Sequence, residues 1–468
     1  MFHREEIEKK LEKAKNILNN SEDVTVYTHI DCDGITAGAI LSILLDRLEK
    51  PHEVNFINLN EVETLTPETD TVIMSDLGSG QNINGICNRL SSSTIILDHH
   101  PSIRKLDCDT VGNLVEVNPN FYGLDGSYEI SGGGLSYFFA KTFHEYDLSW
   151  MGILSAVGDM QNSMSGRLVG LNREILSDSK ETGFVKSNND LLLYGRHTRP
   201  LFKALSYFGD VHLPFTNNRN ECVMFLDDLG IPLKNEMGTV RYLCDLSMDE
   251  KSKLFAELLK MITREVPARY VKYVPKLISG ESYEFLNEEP YTTFKDASEY
   301  STIINACGRN NKASLGMELI KGNKNKVLDD VESLVKKHRR YLAVNMSKIL
   351  DENRVEILEN IQYFDGSGIK ASVVGTIAGM LLNNYDWQKP LIGYSHVDGE
   401  ESSGYKVSLR CSKLLAYDGI HFGNIVRDVA NKVGGSGGGH SVACGAYVPE
   451  DNINQFIDLL NNSININT

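Results

Sequence analysis

Residues 24–34 read VTVYTHIDCDG, and residues 35–48 continue as ITAGAILSILLDRL. The β-branched run ends in alternating polar groups at His29, Asp31 and Asp33, and Gly34 permits a turn into an apolar segment of helical pattern. A strand followed directly by a helix is the repeating unit of an α/β fold. We therefore predict a strand, a turn and a helix, with the three polar side chains on one face through the two-residue period of a strand.

Three further β-rich runs alternate with helical patterns. They are TVIMS at 71–75, TIILD at 94–98 and LVEV at 114–117. Strands joined by helical crossovers form a mostly parallel sheet, and ligands gather at the carboxyl ends of its strands. Acidic and imidazole side chains follow those ends, so we predict that one sheet edge collects Asp31, Asp33, Asp76, Asp98, His99 and His100.

The chain of 468 residues is longer than one hydrophobic core usually serves. We predict an N-terminal α/β domain at 1–190, a middle insertion with a connector helix at 191–345, and a C-terminal α/β domain at 346–468. A continuous helical pattern from about 326 to 360 predicts the connector. The predicted fold class is thus α/β, interrupted by an insertion of longer polar helices.

Charge and cysteine usage exclude several classes. A net charge of −16 argues against a protein that wraps duplex DNA through a broad basic face, although metal ions can invert the field around a carboxylate cluster. The eight cysteines form no CxxC pair, which argues against a zinc ribbon or a secreted disulfide framework and predicts reduced thiols. No apolar run reaches membrane-spanning length and the N-terminus is a charged amphipathic pattern, so we expect a cytoplasmic protein that does not enter membranes.

The polar residues of the first motif suggest a metal site. Two carboxylates and an imidazole in one cluster are electrostatically expensive unless metal ions or protons neutralise them. Oxygen-rich sites with one or two imidazoles suit manganese, magnesium or iron better than a structural zinc ion. The alternative is a set of solvated strand-end residues with a helix N-cap. The recurrence of such residues at Asp76, at Asp98–His100 and at Asp159 in VGDM favours the metal site.

Four motifs together carry a family resemblance: HIDCDG at 29–34, SDLG at 75–78, LDHH at 97–100 and VGDM at 157–160. They resemble the motifs of the DHH phosphoesterase superfamily, which includes RecJ exonucleases, nano-RNases, cyclic-dinucleotide phosphodiesterases and family II pyrophosphatases. The resemblance implies two divalent cations, with manganese preferred and magnesium acceptable. It assigns one ion to His29, Asp31 and Asp76 and the other to Asp33, Asp76, His99 and Asp159.

The same resemblance implies that Asp76 bridges the ions and that His100 contacts the scissile phosphate. It also implies that Asp98 acts as a ligand or supports the site by hydrogen bonding. His29 departs from bacterial RecJ proteins, which often place an acid at this position. Two cations can activate a water and stabilise the charge of an in-line displacement at phosphorus. We therefore expect no serine or cysteine nucleophile.

The glycine-rich run GGSGGGHSVACGA at 434–446 predicts a loop whose exposed backbone amides bind phosphate beside His440. A flexible or tightly turning loop is the alternative. The run resembles the signature of the DHH-associated domain, which implies substrate binding by Gly437, Gly438, Gly439 and His440. Ser408 and Arg410 in KVSLRC match the Ser-x-Arg strand that this family uses for substrate phosphates. This domain favours a polymer or dinucleotide over pyrophosphate.

Two middle segments, GRHTRP at 195–200 and NACGRNNKASLG at 305–316, resemble stretches of archaeal RecJ-like proteins. We predict that Arg196, Arg199 and Arg309 line a path for single-stranded nucleic acid. Their alternative roles are solvated loop charges or helix C-terminal caps.

These inferences predict an exonuclease that hydrolyses single-stranded DNA or RNA to nucleoside monophosphates, with the C-terminal domain closing a cleft over the metals. One alternative is a small-substrate phosphodiesterase acting on very short oligonucleotides or cyclic dinucleotides. The other is a non-catalytic scaffold of a replication assembly. Archaeal relatives combine nuclease activity with binding of the GINS replication complex, so the resemblance names GINS as a candidate partner.

Overall fold

The computed structural model describes residues 4–83, 93–104, 114–397 and 403–464. They belong to two compact units. Unit 1 comprises Met1–Asn189 and Glu281–Val335, and unit 2 comprises Asp190–Gly280 and Lys336–Thr468. Each unit combines two separate stretches of the chain. The three consecutive domain ranges expected from the sequence therefore stay a prediction.

Unit 1 contains a five-stranded sheet in which every pairing is parallel, in the order β2-β1-β3-β4-β5. Its strands are β1 (Val24–His29), β2 (His52–Ile57), β3 (Thr71–Ser75), β4 (Ser93–Leu97) and β5 (Leu114–Val117). The predicted α/β class is confirmed. The sequence analysis did not find β2, whose mixed polar composition and half-buried edge position give it a weak apolar pattern.

A two-stranded sheet pairs β6 (Val185–Leu191) with β7 (Ser279–Phe285). The hydroxyl of Ser282 donates to the carbonyl of Asn188 at 3.2 Å. A little further along, the amide of Leu192 donates to the carbonyl of Ile278 at 2.8 Å. The two ends of the segment between these strands are therefore adjacent.

Unit 2 contains a six-stranded sheet in the order β12-β13-β11-β10-β9-β8. Only the β9–β10 pairing is parallel. The strands are β8 (Val355–Ile357), β9 (Gln362–Asp365), β10 (Leu391–Val397), β11 (Gly404–Arg410), β12 (Ser436–Gly439) and β13 (Ala443–Pro449).

The helices complete both units. In chain order they are α1 (Arg4–Asn20), α2 (Cys32–Arg47), α3 (Gly132–Lys141), α4 (Ser149–Gly158), α5 (Asn172–Glu181), α6 (Leu201–Ser206), α7 (Arg219–Asp228), α8 (Met248–Glu265), α9 (Val274–Ile278), α10 (Ala297–Arg309), α11 (Ala313–Ile320), α12 (Lys324–Asp351), α13 (Ala371–Leu381), α14 (Lys413–Tyr417), α15 (Phe422–Lys432) and α16 (Ile453–Ser463). Short 3-10 turns lie at Leu59–Thr64, Pro119–Tyr122, Tyr146–Leu148, Leu243–Asp245, Ala268–Tyr273, Leu382–Asn384 and Glu450–Asn452.

The core of unit 1 forms around α2. This helix packs on β1 and against α3 and α4, and it is buried almost all round because its sequence is apolar on every face. Ile40 and Leu41 are fully buried, and each such side chain contributes about 1.5–3 kcal/mol relative to exposure. This packing fixes the N-terminus of α2 at the carboxyl edge of the sheet.

Two expectations about the C-terminal half are wrong. The glycine run is not a loop: Ser436–Gly439 forms the edge strand β12, which pairs with β13. A Cβ at Gly439, where φ is +122°, would lie 2.9 Å from the Cα of Cys444, so glycine permits the close strand approach. The connector helix ends at Asp351 rather than near residue 360, because Asn353 takes a positive φ of 48° and β8 begins at Val355.

Within unit 2 the middle segment packs directly on the C-terminal domain. Trp387 meets Tyr270 edge-on with ring centroids 5.5 Å apart. The hydroxyl of Ser412 donates to the carbonyl of Asp210 at 2.8 Å. These contacts join the two segments into a single body.

Six cysteines are free thiols, in agreement with the prediction, whereas Cys87 and Cys108 lie outside the described residues. The final residues of the Asn-rich tail, 465–468, also lie outside them. Among the helices of the described ranges, none is both long and apolar enough to span a bilayer.

Candidate metal centre and substrate-binding face

The first motif changes from strand to helix within three residues, which corrects the expectation that its polar side chains share a strand face. Only His29 belongs to β1; Asp31 is the N-cap of α2 and Asp33 lies in its first turn. The Asp31 carboxylate accepts the amide of Gly34 at 3.1 Å. Nδ1 of His29 lies 3.0 Å from Oδ2 of Asp31. The turn, rather than the two-residue period, brings these groups together.

Asp33 is buried and held by three donors. Its carboxylate accepts the amides of Gly132 at 2.8 Å and Gly133 at 2.7 Å, at the start of α3. The hydroxyl of Ser155 on α4 donates to the same carboxylate. Because a helix N-terminus favours negative charge, this environment keeps a carboxylate in place at the sheet edge.

Asp76 follows β3 directly and has a positive φ of 59°. Asp and Asn are the residues that tolerate this left-handed conformation best after glycine. The residue is 1% exposed, and its Oδ2 has no hydrogen-bond partner in the described part of the chain. A buried carboxylate oxygen without a donor is costly, so this oxygen fits a position that binds a cation.

His99 follows β4 and has a fixed tautomer. Nδ1 donates to the carbonyl of Gly126 at 2.7 Å, which leaves Nε2 as the nitrogen that can bind a metal. Nε2 lies 3.2 Å from Oδ1 of Asp76 and 3.4 Å from Oδ2 of Asp33. Asp159, which caps the C-terminus of α4, has Oδ2 at 3.9 Å from the same nitrogen.

Asp98 and His100 form a pair beside these residues. Oδ1 of Asp98 lies 2.8 Å from Nδ1 of His100, and Oδ2 accepts the amide of Ser79 at 2.8 Å. Both oxygens of Asp98 are thus engaged, which favours the supporting role over the ligand role. The His100 side chain is 46% exposed, and the pair leaves its Nε2 for other contacts.

The side chains form two triads suited to cations. His29, Asp31 and Asp76 offer ligand atoms that all lie within 4.8 Å of one another, and so do Asp33, His99 and Asp159. Asp76 also contacts the second triad through Nε2 of His99. The resemblance also assigns Asp76 to the second ion, whereas the second triad lacks it. A third group, Asp76, Asp98, His99 and His100, offers ligand atoms within 4.8 Å of one another as well, so the two ligand sets stay a prediction.

The pKa shifts of the cluster show that protein groups alone do not neutralise its negative charge. Their causes are burial and the proximity of like charges. Burial, together with the charges of Asp33 and Asp31, raises the pKa of Asp76 well above its ordinary value. Burial opposes a charge on His99, but the carboxylates of Asp159, Asp76 and Asp33 outweigh it and raise its pKa. Without cations the cluster would therefore retain protons, and the donor set fits hard divalent ions that replace them.

Several supporting residues were missed by the sequence analysis. The amides of Gly132 and Gly133 position Asp33, and the buried amide of Gln161 donates to Oδ2 of Asp159 and to the carbonyl of Gly126, both at 2.9 Å. The signal for the glycines was present, since SGGG at 131–134 combines an N-cap serine with three glycines before an apolar helix. No comparable pattern marked Gln161.

In unit 2 the register places the predicted phosphate-binding residues on one face of the sheet. Ser408 lies opposite Gly445, and Gly445 lies opposite Gly438, so one cross-strand row contains a hydroxyl and two residues without side chains. Arg410 lies two residues beyond Ser408 on the same face. A Cβ at Gly375 of α13 would lie 2.6 Å from Nη2 of Arg410 and 3.0 Å from Oγ of Ser408. Both polar groups therefore lie against α13, where the missing Cβ of Gly375 permits the close approach, and Ser408 is buried.

The remaining residues of the run lie at the end of β12. Gly437 and Gly439 pair with Ala446 and Cys444. His440 follows the strand, and its amide donates to the carbonyl of Ala443 at 3.0 Å. The amides of Gly437 and Gly439 therefore belong to a strand rather than to the loop that was expected, and their substrate contact stays a prediction.

The three predicted strand-binding arginines differ in their surroundings. Arg196 is buried and forms an ion pair with Asp190, which favours a structural role. Arg199 lies between two tyrosine rings in unit 2. Arg309 ends α10 in unit 1, next to Gly308, where a Cβ would overlap the carbonyl oxygen of Ile30.

Three family models match successive parts of the chain. Residues 23–155 match the DHH family N-terminal domain, residues 193–274 match the DHH-CID domain and residues 358–465 match the DHHA1 domain. An uncharacterized protein of Methanocaldococcus jannaschii is 32% identical over 464 residues, covering 97% of this chain and 96% of its own length.

Solved structures share the fold at low identity. CDC45 from Entamoeba histolytica aligns with a TM-score of 0.60 and 14% identity, covering 98% of this chain and 99% of that one. RecJ from Thermus thermophilus, solved with Mn²⁺, aligns with a TM-score of 0.57 and 14% identity, covering 97% of this chain and 54% of that one. The two likenesses are evidence of common architecture.

Proposed function

Because this chain belongs to the DHH family, we propose that it is a metal-dependent phosphodiesterase that hydrolyses single-stranded DNA or RNA from an end to nucleoside monophosphates. The observation that carries the proposal is the pair of triads linked by Asp76. A scaffold would not need two adjoining sets of carboxylates and imidazoles with one buried oxygen left without a donor. The family consists in general of metal-dependent phosphoesterases.

Two divalent cations, held by the two triads, would supply charge stabilisation and an activated water for displacement at phosphorus. RecJ from Thermus thermophilus has been solved with Mn²⁺ and with Mg²⁺, and the mixed carboxylate and imidazole donors are the reason that manganese is the proposed preference. The protein's task is to hold the donors in place. Gly126, Gly132, Gly133 and Gln161 do so through hydrogen bonds to His99, Asp33 and Asp159.

His100 is the proposed contact to the scissile phosphate. Asp98 binds its Nδ1 and orients the ring, so Nε2 is the nitrogen that can donate to a phosphate oxygen. The partial exposure of His100 is consistent with this role, since a substrate must reach it.

Ser408 and Arg410 are the proposed substrate-binding pair of unit 2, with Gly437, Gly438, Gly439 and His440 beside them. The support is the common face of Ser408, Arg410 and Gly438. Guanidinium groups bind phosphate through paired donors, and no carboxylate of the described residues forms an ion pair with Arg410. Arg309 is proposed as a further contact in unit 1.

The decisive experiment is digestion of single-stranded DNA and RNA labelled at either end, with manganese, by the native protein and by Asp76→Asn. Asparagine keeps the left-handed backbone at this position, so the substitution tests the carboxylate rather than the turn. Asp329→Asn, an exposed change on α12, is the matched control. We expect a ladder of products from the native protein and the control, and none from Asp76→Asn. The proposal is rejected if the native protein leaves oligomers of every length intact.

Comparing turnover of a dinucleotide with that of a long oligomer tests the small-substrate alternative, because a polymer enzyme gains binding from remote nucleotides. The segment matched to the DHH-CID domain, at 193–274, favours the longer substrate. The fold likeness to CDC45 is the observation behind the scaffold alternative. GINS is the proposed partner whether the protein is an exonuclease or a scaffold. Co-purification of the native protein with purified GINS tests this partnership.

A further inference from the structure

Arg199 occupies an unusual position in the middle segment of unit 2. Its Cζ lies 4.6 Å from the ring centroid of Tyr194 and 4.5 Å from that of Tyr207. A guanidinium placed over two rings gains cation–π attraction from each. Contact with the rings does not use the N–H groups as hydrogen-bond donors, so they can contact a ligand.

The surrounding backbone fixes this arrangement. Gly195 has a φ of +90°, and a Cβ there would overlap Cγ and Cδ of Arg199, so glycine makes room for the arginine stem. The amide of Arg199 donates to the carbonyl of Gly195 at 2.9 Å. On the other side, Pro200 bridges to Tyr242. Arg199 is therefore preorganised, and a ligand would order little on binding.

Arg199 lacks the acidic partner that three other arginines of unit 2 have. Arg196 pairs with Asp190, Arg241 makes a two-pronged pair with Glu250, and Arg269 pairs with Asp418. Among the residues that the structure describes, no carboxylate forms an ion pair with Arg199 and no acceptor binds its guanidinium. A rigid cation without a counter-charge, in a chain of net charge −16, fits an anionic ligand.

The groups around Arg199 point to one kind of anion. Tyr207 is 43% exposed, so part of its ring is accessible beside the guanidinium. Arg219 lies 4.8 Å from the ring centroid of Phe202, one residue from Lys203. Cations alternating with aromatic rings are the pattern that binds single strands, since the cations contact phosphates and the rings stack on bases.

We propose that Tyr194, Arg199 and Tyr207 form a single-strand contact of the middle segment, in which Arg199 binds a backbone phosphate and the exposed ring of Tyr207 stacks on a base. The proposal rests on the proposed function in taking the substrate to be a polymer. An acidic protein segment would satisfy the guanidinium but would not use the tyrosine ring, so nucleic acid is the ligand that the geometry favours.

The test measures binding without catalysis. Fluorescence anisotropy of a labelled oligothymidylate in EDTA compares the native full-length protein with Arg199→Lys, Arg199→Met and Tyr207→Leu. Arg269→Lys is the matched control, because Arg269 also stacks on a tyrosine but has a carboxylate partner. We expect about tenfold weaker binding for Arg199→Lys and a loss of similar size for Tyr207→Leu. The control should bind like the native protein.

The salt dependence separates a phosphate contact from a folding defect. Loss of one phosphate contact should lower the slope of log Kd against log salt concentration by about 0.7 in Arg199→Met. A misfolded variant would lose far more of its affinity for the oligomer, and its circular dichroism spectrum would change. An unchanged affinity and slope in a folded Arg199→Met would overturn the proposal. The proposal would also fall if polyglutamate displaced the labelled oligomer at the same concentration as an unlabelled oligonucleotide does.

This experiment fails separately from the proposed function. In EDTA no cation would occupy the candidate metal centre, so the binding assay does not depend on hydrolysis. If the native protein binds through Arg199 but never hydrolyses, the exonuclease proposal falls and the contact stands. If hydrolysis is intact and all Arg199 variants bind normally, the contact falls and the exonuclease stands.

Discussion

The candidate metal centre of unit 1 and the Ser408–Arg410 face of the unit 2 sheet differ in charge and in construction. The first gathers carboxylates and imidazoles at the edge of a parallel sheet, where backbone amides of Gly132 and Gly133 hold Asp33. The second presents Arg410 and Ser408 beside strand glycines, with no carboxylate ion-paired to Arg410 in the described residues. The first region is rich in carboxylates, and the second contains a guanidinium and a hydroxyl.

This difference teaches how an acidic chain can bind a phosphodiester. The carboxylates of the candidate metal centre lie in unit 1, where metal ions would reverse the local field, and the proposed substrate contacts Ser408 and Arg410 lie in unit 2. Each region is then testable by itself, through metal binding in one and substrate affinity in the other.

The largest effect is expected from removing an imidazole of the metal centre. His99→Ala should lower kcat/KM by more than about a hundredfold, because residues that merely support metal ligands already cost tenfold to a hundredfold. Steady-state hydrolysis of a labelled oligomer measures it. His396→Ala in unit 2 is the imidazole control and should retain activity. Comparable losses in both variants would break the distinction between the two regions.

Metal binding should stabilise unit 1 and leave unit 2 unchanged. Trp150 packs on Phe285 and Tyr300 in unit 1, whereas Trp387 packs on Tyr270 in unit 2, and the chain has no other tryptophan. Manganese at a hundred times its Kd should add about 2.7 kcal/mol to the free energy of unfolding reported by Trp150.

The reporters are separated by substitution: Trp387→Phe leaves Trp150, and Trp150→Phe leaves Trp387. Urea unfolding followed by fluorescence gives the midpoint for each. Equal shifts of the urea midpoint in both variants would show that the cation stabilises the two units together. That result would contradict the expectation that metal binding affects unit 1 alone.

An intermediate effect is expected at Gln161, which binds no metal itself. Gln161→Met removes the donors to Asp159 and to the carbonyl of Gly126, so manganese affinity should fall by roughly tenfold to a hundredfold. Isothermal titration calorimetry measures it, with the exposed Gln388→Met as control. A native manganese Kd in a folded Gln161→Met would mean that these hydrogen bonds do not position the ligands.

The smallest effect is expected in unit 2. Arg410→Lys keeps the charge but loses the paired donors, so KM for the oligomer should rise by about tenfold while kcat stays near the native value. Arg427→Lys on the exposed side of α15 is the control. A changed manganese affinity in Arg410→Lys would show that the anion face and the cation centre are not independent.

Four of the five strands of the unit 1 sheet were predictable because their apolar runs are buried on both faces, and the edge residues were predictable because ligands gather at the carboxyl ends of parallel strands. HIDCDG, SDLG, LDHH and VGDM each follow an element of strong apolar pattern, so their convergence needed no tertiary information. The left-handed conformation of Asp76 and the role of Gln161 depend on tertiary packing, which a linear pattern does not encode.

The C-terminal errors have a different cause. Glycine lowers the propensity for a strand, so the run at 436–439 has the composition of a loop. Pairing with β13 overrides that propensity, and the missing Cβ atoms are what allow the close approach at Gly439. The ion pair of Arg196 was not predictable for a related reason: its partner Asp190 lies six residues away along the chain, and only the folded turn brings them together.

The pairing of β6 with β7 has a consequence for the history of the chain. The segment between Leu192 and Ile278 enters and leaves through residues joined by one hydrogen bond of 2.8 Å. A stretch of chain with adjoining ends can be inserted or deleted in a single genetic event without disrupting the pairing of the strands that flank it. We expect a short turn joining β6 to β7 to leave unit 1 able to fold, which would make the middle segment a module that the chain can gain without changing the fold of unit 1.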